Sequence, residues 1–104
     1  MKILLTGCAG FIGFHIAKAL SQRGDTVIGI DSLNKYYDVQ LKYGRLEQLG
    51  FENNFKEKDN KTLTSTKYNN LSFKKIDISN KSDLKKIFEE HEFDSVCNLA
   101  AQAG

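Results

Sequence analysis

Nowhere in these 104 residues do 18 apolar side chains follow one another, which argues against a transmembrane helix. No charged leader with a long apolar stretch stands ahead of Lys2, so nothing indicates secretion. Charge of one sign is also lacking. Fifteen Lys and Arg against thirteen Asp and Glu leave a formal charge of +2, too little to force a nucleic-acid or membrane partner. Cysteine is scarce: Cys8 and Cys97 stand far apart with no CxxC or histidine spacing, which excludes a disulfide framework or zinc knuckle and suits thiols in a reducing, cytoplasmic protein. The two histidines, His15 and His91, both fall on expected helices, and neither is assigned to a metal; His91, near a helix end, would interact favourably with the dipole if charged.

What remains is an ordinary globular composition, 40% hydrophobic and 27% charged with seven Phe. A chain of this length forms one small domain at most and buries roughly 65% of the surface its unfolded form exposes, so its core is thin.

The informative run is TGCAGFIG, Thr6 to Gly13, with glycines at 7, 10 and 13. Before it, Lys2 to Thr6 (KILLT) reads as a short buried strand. After it, Phe11 to Arg23 places Ile12, Ile16, Ala19 and Leu20 at helical spacing, so the glycines mark a strand-to-helix turn. At such a turn Gly7 takes a backbone conformation that a Cβ resists, Gly10 lets the backbone approach a pyrophosphate, and Gly13 lets the helix pack close. Unpaired N–H groups and the dipole at the helix start supply an anion site. Glycines also cluster in ordinary turns, but a second apolar run, Thr26 to Ile30 (TVIGI), ends in Asp31, about 20 residues beyond the loop, where a dinucleotide fold needs a carboxylate for the adenosine ribose. The alternative for Asp31 is a solvated turn acid.

Beyond SLNKYYD, residues Val39 to Leu49 place Val39, Tyr43, Leu46 and Leu49 on one helical face, with Gly50 as the stop. Phe51 to Asn70 is polar, Asn- and Lys-rich and without period. An uninterrupted loop of that length is unusual, so this segment is expected to hold a short helix or to be mobile, and to be a tolerated insertion at the strand ends away from a cofactor. Leu71 to Ile76 reads as a third strand, weakened by the adjacent Lys74 and Lys75. Asn80 and Asp83 resemble a capping box ahead of Leu84, Ile87, Phe88 and His91 at i, i+3, i+4 and i+7, and Ser95 to Ala101 (SVCNLAA) is a fourth strand. Strands joined by helical crossovers lie parallel. The expected fold is therefore α/β, the N-terminal half of a Rossmann-type doubly wound parallel sheet with strand order 3-2-1-4.

These segments resemble the extended short-chain dehydrogenase/reductase family of NAD-dependent nucleotide-sugar epimerases and dehydratases, and the match spans nearly the whole chain. TGCAGFIG resembles that family's TGxxGFIG, IDSLNKYYD the segment typical of UDP-glucuronate 4-epimerases, DIS at Asp77 to Ser79 the adenine-contacting segment, and NLAAQAG the family's HLAAQAG, departing at Asn98 where His is usual. The resemblance implies NAD as cofactor and a UDP-sugar substrate and homodimeric assembly for the full-length parent, without nucleic acid or membrane. It implies that Gly7, Gly10 and Gly13 form the loop, that the backbone of Phe11 and Ile12 faces the pyrophosphate, and that Asp31 holds the ribose. Asn34 and Lys35 would border the adenosine, Asp77 and Ile78 the adenine ring, and Leu99, Ala100 and Ala101 the far side of the pyrophosphate and the nicotinamide ribose. A plain strand terminus is the alternative for the last three, and Tyr36 and Tyr37 read equally as packing on the sheet edge.

The family's hydride chemistry uses a Tyr activated by a Lys four residues later. The residues four beyond Tyr36, Tyr37, Tyr43 and Tyr68 are Gln40, Leu41, Glu47 and Ser72, none of them Lys. Residues 1–104 are thus expected to be a truncated NAD(P)-binding half-domain of an epimerase, inactive alone and exposing the edge of its fourth strand. Two other N-terminal readings stay open, a dehydratase and a non-catalytic dinucleotide sensor. A third, single-stranded nucleic-acid binding, would use Tyr36 and Tyr37 with Lys35, Lys42 and Arg45.

Overall fold

The computed structural model describes residues 1–33, 39–52 and 62–99. Strand β1 (Lys2–Thr6) leads through the glycine loop to helix α1 (Phe11–Arg23), and β2 (Thr26–Asp31) is followed by α2 (Val39–Gln48). A short β3 (Thr62–Thr64), β4 (Leu71–Lys75), α3 (Lys81–Glu90) and β5 (Ser95–Asn98) complete the order. The sheet runs β3-β4-β2-β1-β5. Its four parallel strands, β4-β2-β1-β5, have the expected arrangement: β1 pairs with β2 from Lys2 opposite Thr26 to Thr6 opposite Ile30, and with β5 from Ile3 opposite Ser95 to Thr6 opposite Asn98.

β3 is a correction. It pairs antiparallel with β4, Thr62 opposite Lys74 and Thr64 opposite Ser72, inside the segment that sequence reading treats as a helix-containing or mobile insertion. Three residues are too few to show a period, and two threonines around one leucine become a strand only because the edge of β4 offers unpaired backbone groups.

Alternating side chains send the strands' apolar residues to both faces of the sheet. Leu5, Val27, Leu71 and Phe73 pack with Phe14 and Ala17 of α1 and with Leu46, Leu49 and Phe51 at and beyond α2. On the other face Leu4, Ile28 and Ile30 pack with Ile76 and with Ile87 of α3. Helices α1 and α2 therefore cover one face and α3 the other. The crossover changes sides between β1 and β5, and in doubly wound sheets that reversal opens a crevice at the carboxyl ends of the strands.

The buried stripe of α1 is Gly13, Phe14, Ala17 and Ser21, with Ile16 and Leu20 half-buried. Ile12 and Ala19, which share their helical spacing, are exposed. FIGFHIAKAL is apolar enough to offer two overlapping stripes, and the close seat of Gly13 on the loop selects between them. α2 follows its reading: Leu46 is buried and Gly50 ends the helix at φ +93°, its N–H donating to the Glu47 carbonyl at 3.0 Å. The Asn80 side chain caps α3 by accepting from the Asp83 N–H at 3.1 Å. At the other end of α3, burial, foremost, and the nearby Lys2 hold the His91 ring below its ordinary pKa. Its favourable dipole interaction in the charged form is thereby opposed.

Among the described residues no helix is long and apolar enough to cross a membrane, and no cluster of His, Cys, Asp or Glu is placed to hold a metal. β5 pairs there with β1 only, and Val96 on it is exposed.

Candidate functional site

Every group of the glycine loop has a traceable reason for its position. Gly7 leaves β1 at φ +73°, a left-handed conformation that a side chain disfavours. Its N–H and that of Cys8 donate to the Ile30 carbonyl at 2.9 and 3.3 Å, fastening the loop to the end of β2. The Gly10 N–H donates to the Gly7 carbonyl at 3.0 Å, and the Gly10 carbonyl accepts the Phe14 N–H at 2.8 Å, so Gly10 is the N-cap of α1. No side chain caps this helix. The N–H groups of Phe11, Ile12 and Gly13 consequently have no partner among the described residues, as the first turn of any helix leaves them. Such N–H groups, with the positive end of a helix dipole behind them, fit a phosphate or pyrophosphate.

The closeness of the turn comes from missing side chains. A Cβ on Gly13 would lie 2.0 Å from the Gly7 carbonyl oxygen, and one on Gly10 would lie 3.2 Å from the same atom. Gly13 thus lets α1 seat against the loop backbone, whereas a Cβ on Gly10 would ask the Gly7 oxygen to give by only a few tenths of an ångström.

Asp31 ends β2 beside this loop with its side chain 3% exposed. One carboxylate oxygen, Oδ2, accepts the Ala9 N–H at 3.1 Å. The other, Oδ1, accepts the Leu33 N–H at 2.9 Å and the Lys42 ammonium at 3.0 Å. Leu33 itself sits at φ +54°, a conformation uncommon for a branched side chain, held by that bond to Asp31 and by burial. From the next turn of α2, the Arg45 guanidinium donates to the Ala9 carbonyl at 3.0 Å. Both Lys42 and Arg45, surface cations of the nucleic-acid reading, are in fact engaged with the loop and its acid. Their role was invisible in the sequence, since a Lys and an Arg three apart on a half-polar helix look like a solvated face.

The remaining sequence-identified residues spread along the strand ends. Asp77 and Ile78 follow β4. The Asp77 carboxylate accepts the Ser79 N–H at 2.9 Å and the Ser79 hydroxyl at 2.8 Å, and these bonds, the backbone one foremost, hold it below the usual carboxylate range. Ile78 is half-buried against the α3 side of the core. Across β1, the Leu99 N–H reaches the Thr6 carbonyl at 3.3 Å, and the Asn98 side-chain oxygen accepts the Thr6 hydroxyl, tying β5 to β1 where the resemblance has His. Gly7, Gly10, Phe11, Ile12, Gly13 and Asp31 are brought together. Asn34, Lys35, Ala100 and Ala101 lie outside the described residues, as do Tyr36 and Tyr37.

Cys8 lies beneath the loop, its sulfur where a Cβ on Gly29 would approach to 2.8 Å. Burial, foremost, and the nearby Asp31 carboxylate push its thiol well up, and the thiol is a poor nucleophile. Cys97 is half-buried. A disulfide-exchange reagent at neutral pH should therefore modify Cys97 in the folded protein and Cys8 only on unfolding in guanidinium; prompt reaction of Cys8 without denaturant would contradict this packing.

Residues 4–104 match the family model described as GDP-mannose 4,6 dehydratase. The chain is 45% identical to Protein CapI of Staphylococcus aureus, over 100% of this chain and 26% of that protein. It is 43% identical to a UDP-glucuronate 4-epimerase of Thermodesulfobacterium geofontis, over 97% of this chain and 26% of that one. Among solved structures it resembles the UDP-glucuronic acid 4-epimerase of Bacillus cereus, crystallised with UDP-4-deoxy-4-fluoro-glucuronic acid and NAD, with a TM-score of 0.72 and 33% identity, over 100% of this chain and 27% of that one. The chain thus spans about a quarter of the length of these relatives.

Proposed function

The chain belongs to the GDP-mannose 4,6 dehydratase family, and from that premise we propose that it is the NAD-binding N-terminal portion of a nucleotide-sugar epimerase of the UDP-glucuronate 4-epimerase kind. One observation carries the reading: the N–H groups of Phe11, Ile12 and Gly13, without a partner among the described residues, stand at a loop whose neighbouring strand ends in the buried Asp31. The first fits a pyrophosphate and the second a ribose hydroxyl, which together describe one half of a dinucleotide. NAD, when bound, supplies the acceptor for a hydride from a sugar carbon.

This chain's own part is to bind and orient that cofactor. None of its tyrosines has a Lys four residues on, so the general base and the UDP-sugar pocket belong to other parts of a full-length enzyme, and residues 1–104 act as its cofactor half and are inactive alone. The family model's description keeps a dehydratase as the second reading, since the two reactions share this half of the site. The free Cys8 and Cys97 accord with a cytoplasmic protein.

Gly10→Val tests the reading. A Cβ there meets the Gly7 oxygen at 3.2 Å, a contact that gives by a few tenths of an ångström, but the valine methyls occupy the rim where a pyrophosphate would lie. NAD affinity, measured by calorimetric titration, should fall by about a hundredfold, the scale of one strong charge-assisted hydrogen bond. Far-UV circular dichroism should stay near wild type. Absence of NAD binding by the wild-type protein, or loss of helix signal in the variant equal to its loss of binding, would sink the proposal.

A further inference from the structure

We propose that Lys42 sets how sharply this site distinguishes NAD from its 2′-phosphorylated counterpart, acting as a specificity-determining residue through Asp31; the inference rests on the dinucleotide reading above. A bare carboxylate at the ribose end rejects a 2′-phosphate in two ways, by repelling its charge and by losing a hydroxyl donor. In this structure the first is largely cancelled. The Lys42 ammonium lies 3.0 Å from Asp31 Oδ1, and the side chains are only 15% and 3% exposed, so water screens the pair little.

The hydrogen-bond geometry points the same way. A carboxylate offers roughly four acceptor positions, and among the described residues Ala9, Leu33 and Lys42 occupy three, leaving about one, on Oδ2. Asp31 is therefore arranged to take one ribose hydroxyl rather than two, through a single bond beside a neutralised charge. Arg45, one turn along the same helix, holds the Ala9 carbonyl, so α2 restrains the residue whose N–H supports Asp31. Counted formally, Asp31, Lys42 and Arg45 leave the site with one positive charge, where Asp31 alone would leave one negative charge against an anionic ligand.

The probes are NAD and NADP, titrated at low salt into the intact wild-type protein and into Lys42→Gln, Lys42→Arg and Asp31→Asn, with thermal melts alongside. Lys42→Gln exposes the carboxylate's charge, so the NADP-to-NAD ratio of dissociation constants should rise about tenfold, the scale of one partly screened charge pair. Lys42→Arg should keep the ratio near wild type. Asp31→Asn keeps the acceptor oxygen and frees the ammonium, so the ratio should fall about tenfold; this arm stands even if Lys42→Gln fails to fold. A merely structural Lys42 would weaken both ligands equally. An unchanged ratio in folded Lys42→Gln, or in Asp31→Asn, with NAD binding still measurable, overturns the inference alone. Wild-type protein that binds neither ligand overturns the dinucleotide reading together with it.

Discussion

Gly13→Ala is expected to destabilise the protein by about 3 kcal/mol or more, the upper end of what overpacking costs. The added Cβ would lie 2.0 Å from the Gly7 carbonyl oxygen, 2.8 Å from its carbon and 2.9 Å from the Cys8 Cα. All three are backbone atoms, so no side chain can rotate away. Either α1 withdraws or the loop moves, yet the loop is held by the bonds of Gly7 and Cys8 to the Ile30 carbonyl and of Ala9 to Asp31. The urea midpoint should drop, with cofactor binding lost through the same displacement. A Gly13→Ala variant within about 0.5 kcal/mol of wild type, the range of an ordinary surface change, would show that helix and loop are not in the contact described. Set against Gly10→Val, it tests whether the two glycines divide their work between the fold and a bound ligand.

Asp31→Ala should be comparably severe. Truncation leaves the Lys42 ammonium, 15% exposed, without its partner and removes the acceptor from the Ala9 and Leu33 N–H groups. Removing one member of a buried pair costs about 3 to 5 kcal/mol, because the remaining charge is stranded. Leu33 also loses the bond that accompanies its positive φ. Asp31→Asn strands the same charge but retains an acceptor oxygen, so it should cost less than Asp31→Ala by the loss of the N–H bonds it avoids. A thermal melt in which Asp31→Ala unfolds with wild type would indicate that Asp31 serves the ligand only, and that its bonds to Ala9, Leu33 and Lys42 add little to stability.

The parts of this site that were legible in sequence are those set by neighbours along the chain. Gly7 stands at the end of an apolar strand and Gly13 within the first turn of a helix, and both roles follow from a turn too tight for a Cβ. Asp31 was legible because strand length and the βαβ spacing carry it to the same sheet edge as the loop. Asn80 reads as a helix start from its own spacing to Asp83, and the structure has that bond. By contrast, the inward face of α1 is not legible, since periodicity alone leaves two apolar stripes and only the seat of Gly13 on the loop chooses one.

By itself the sequence determined the order of strands and helices, the parallel arrangement that helical crossovers impose, the glycine loop and the acid that ends β2. Those properties depend on backbone sterics, on apolar period and on chain length, all written locally. Tertiary structure alone decided that Thr62–Thr64 would pair with β4, that Asn98 would receive the Thr6 hydroxyl, and that Lys42 and Arg45 would turn inward on Asp31 and Ala9 rather than toward water. Each of those outcomes joins groups brought together only by the closing of the sheet and the docking of α2, where a buried acceptor without a donor would cost more than ordering a long cationic side chain.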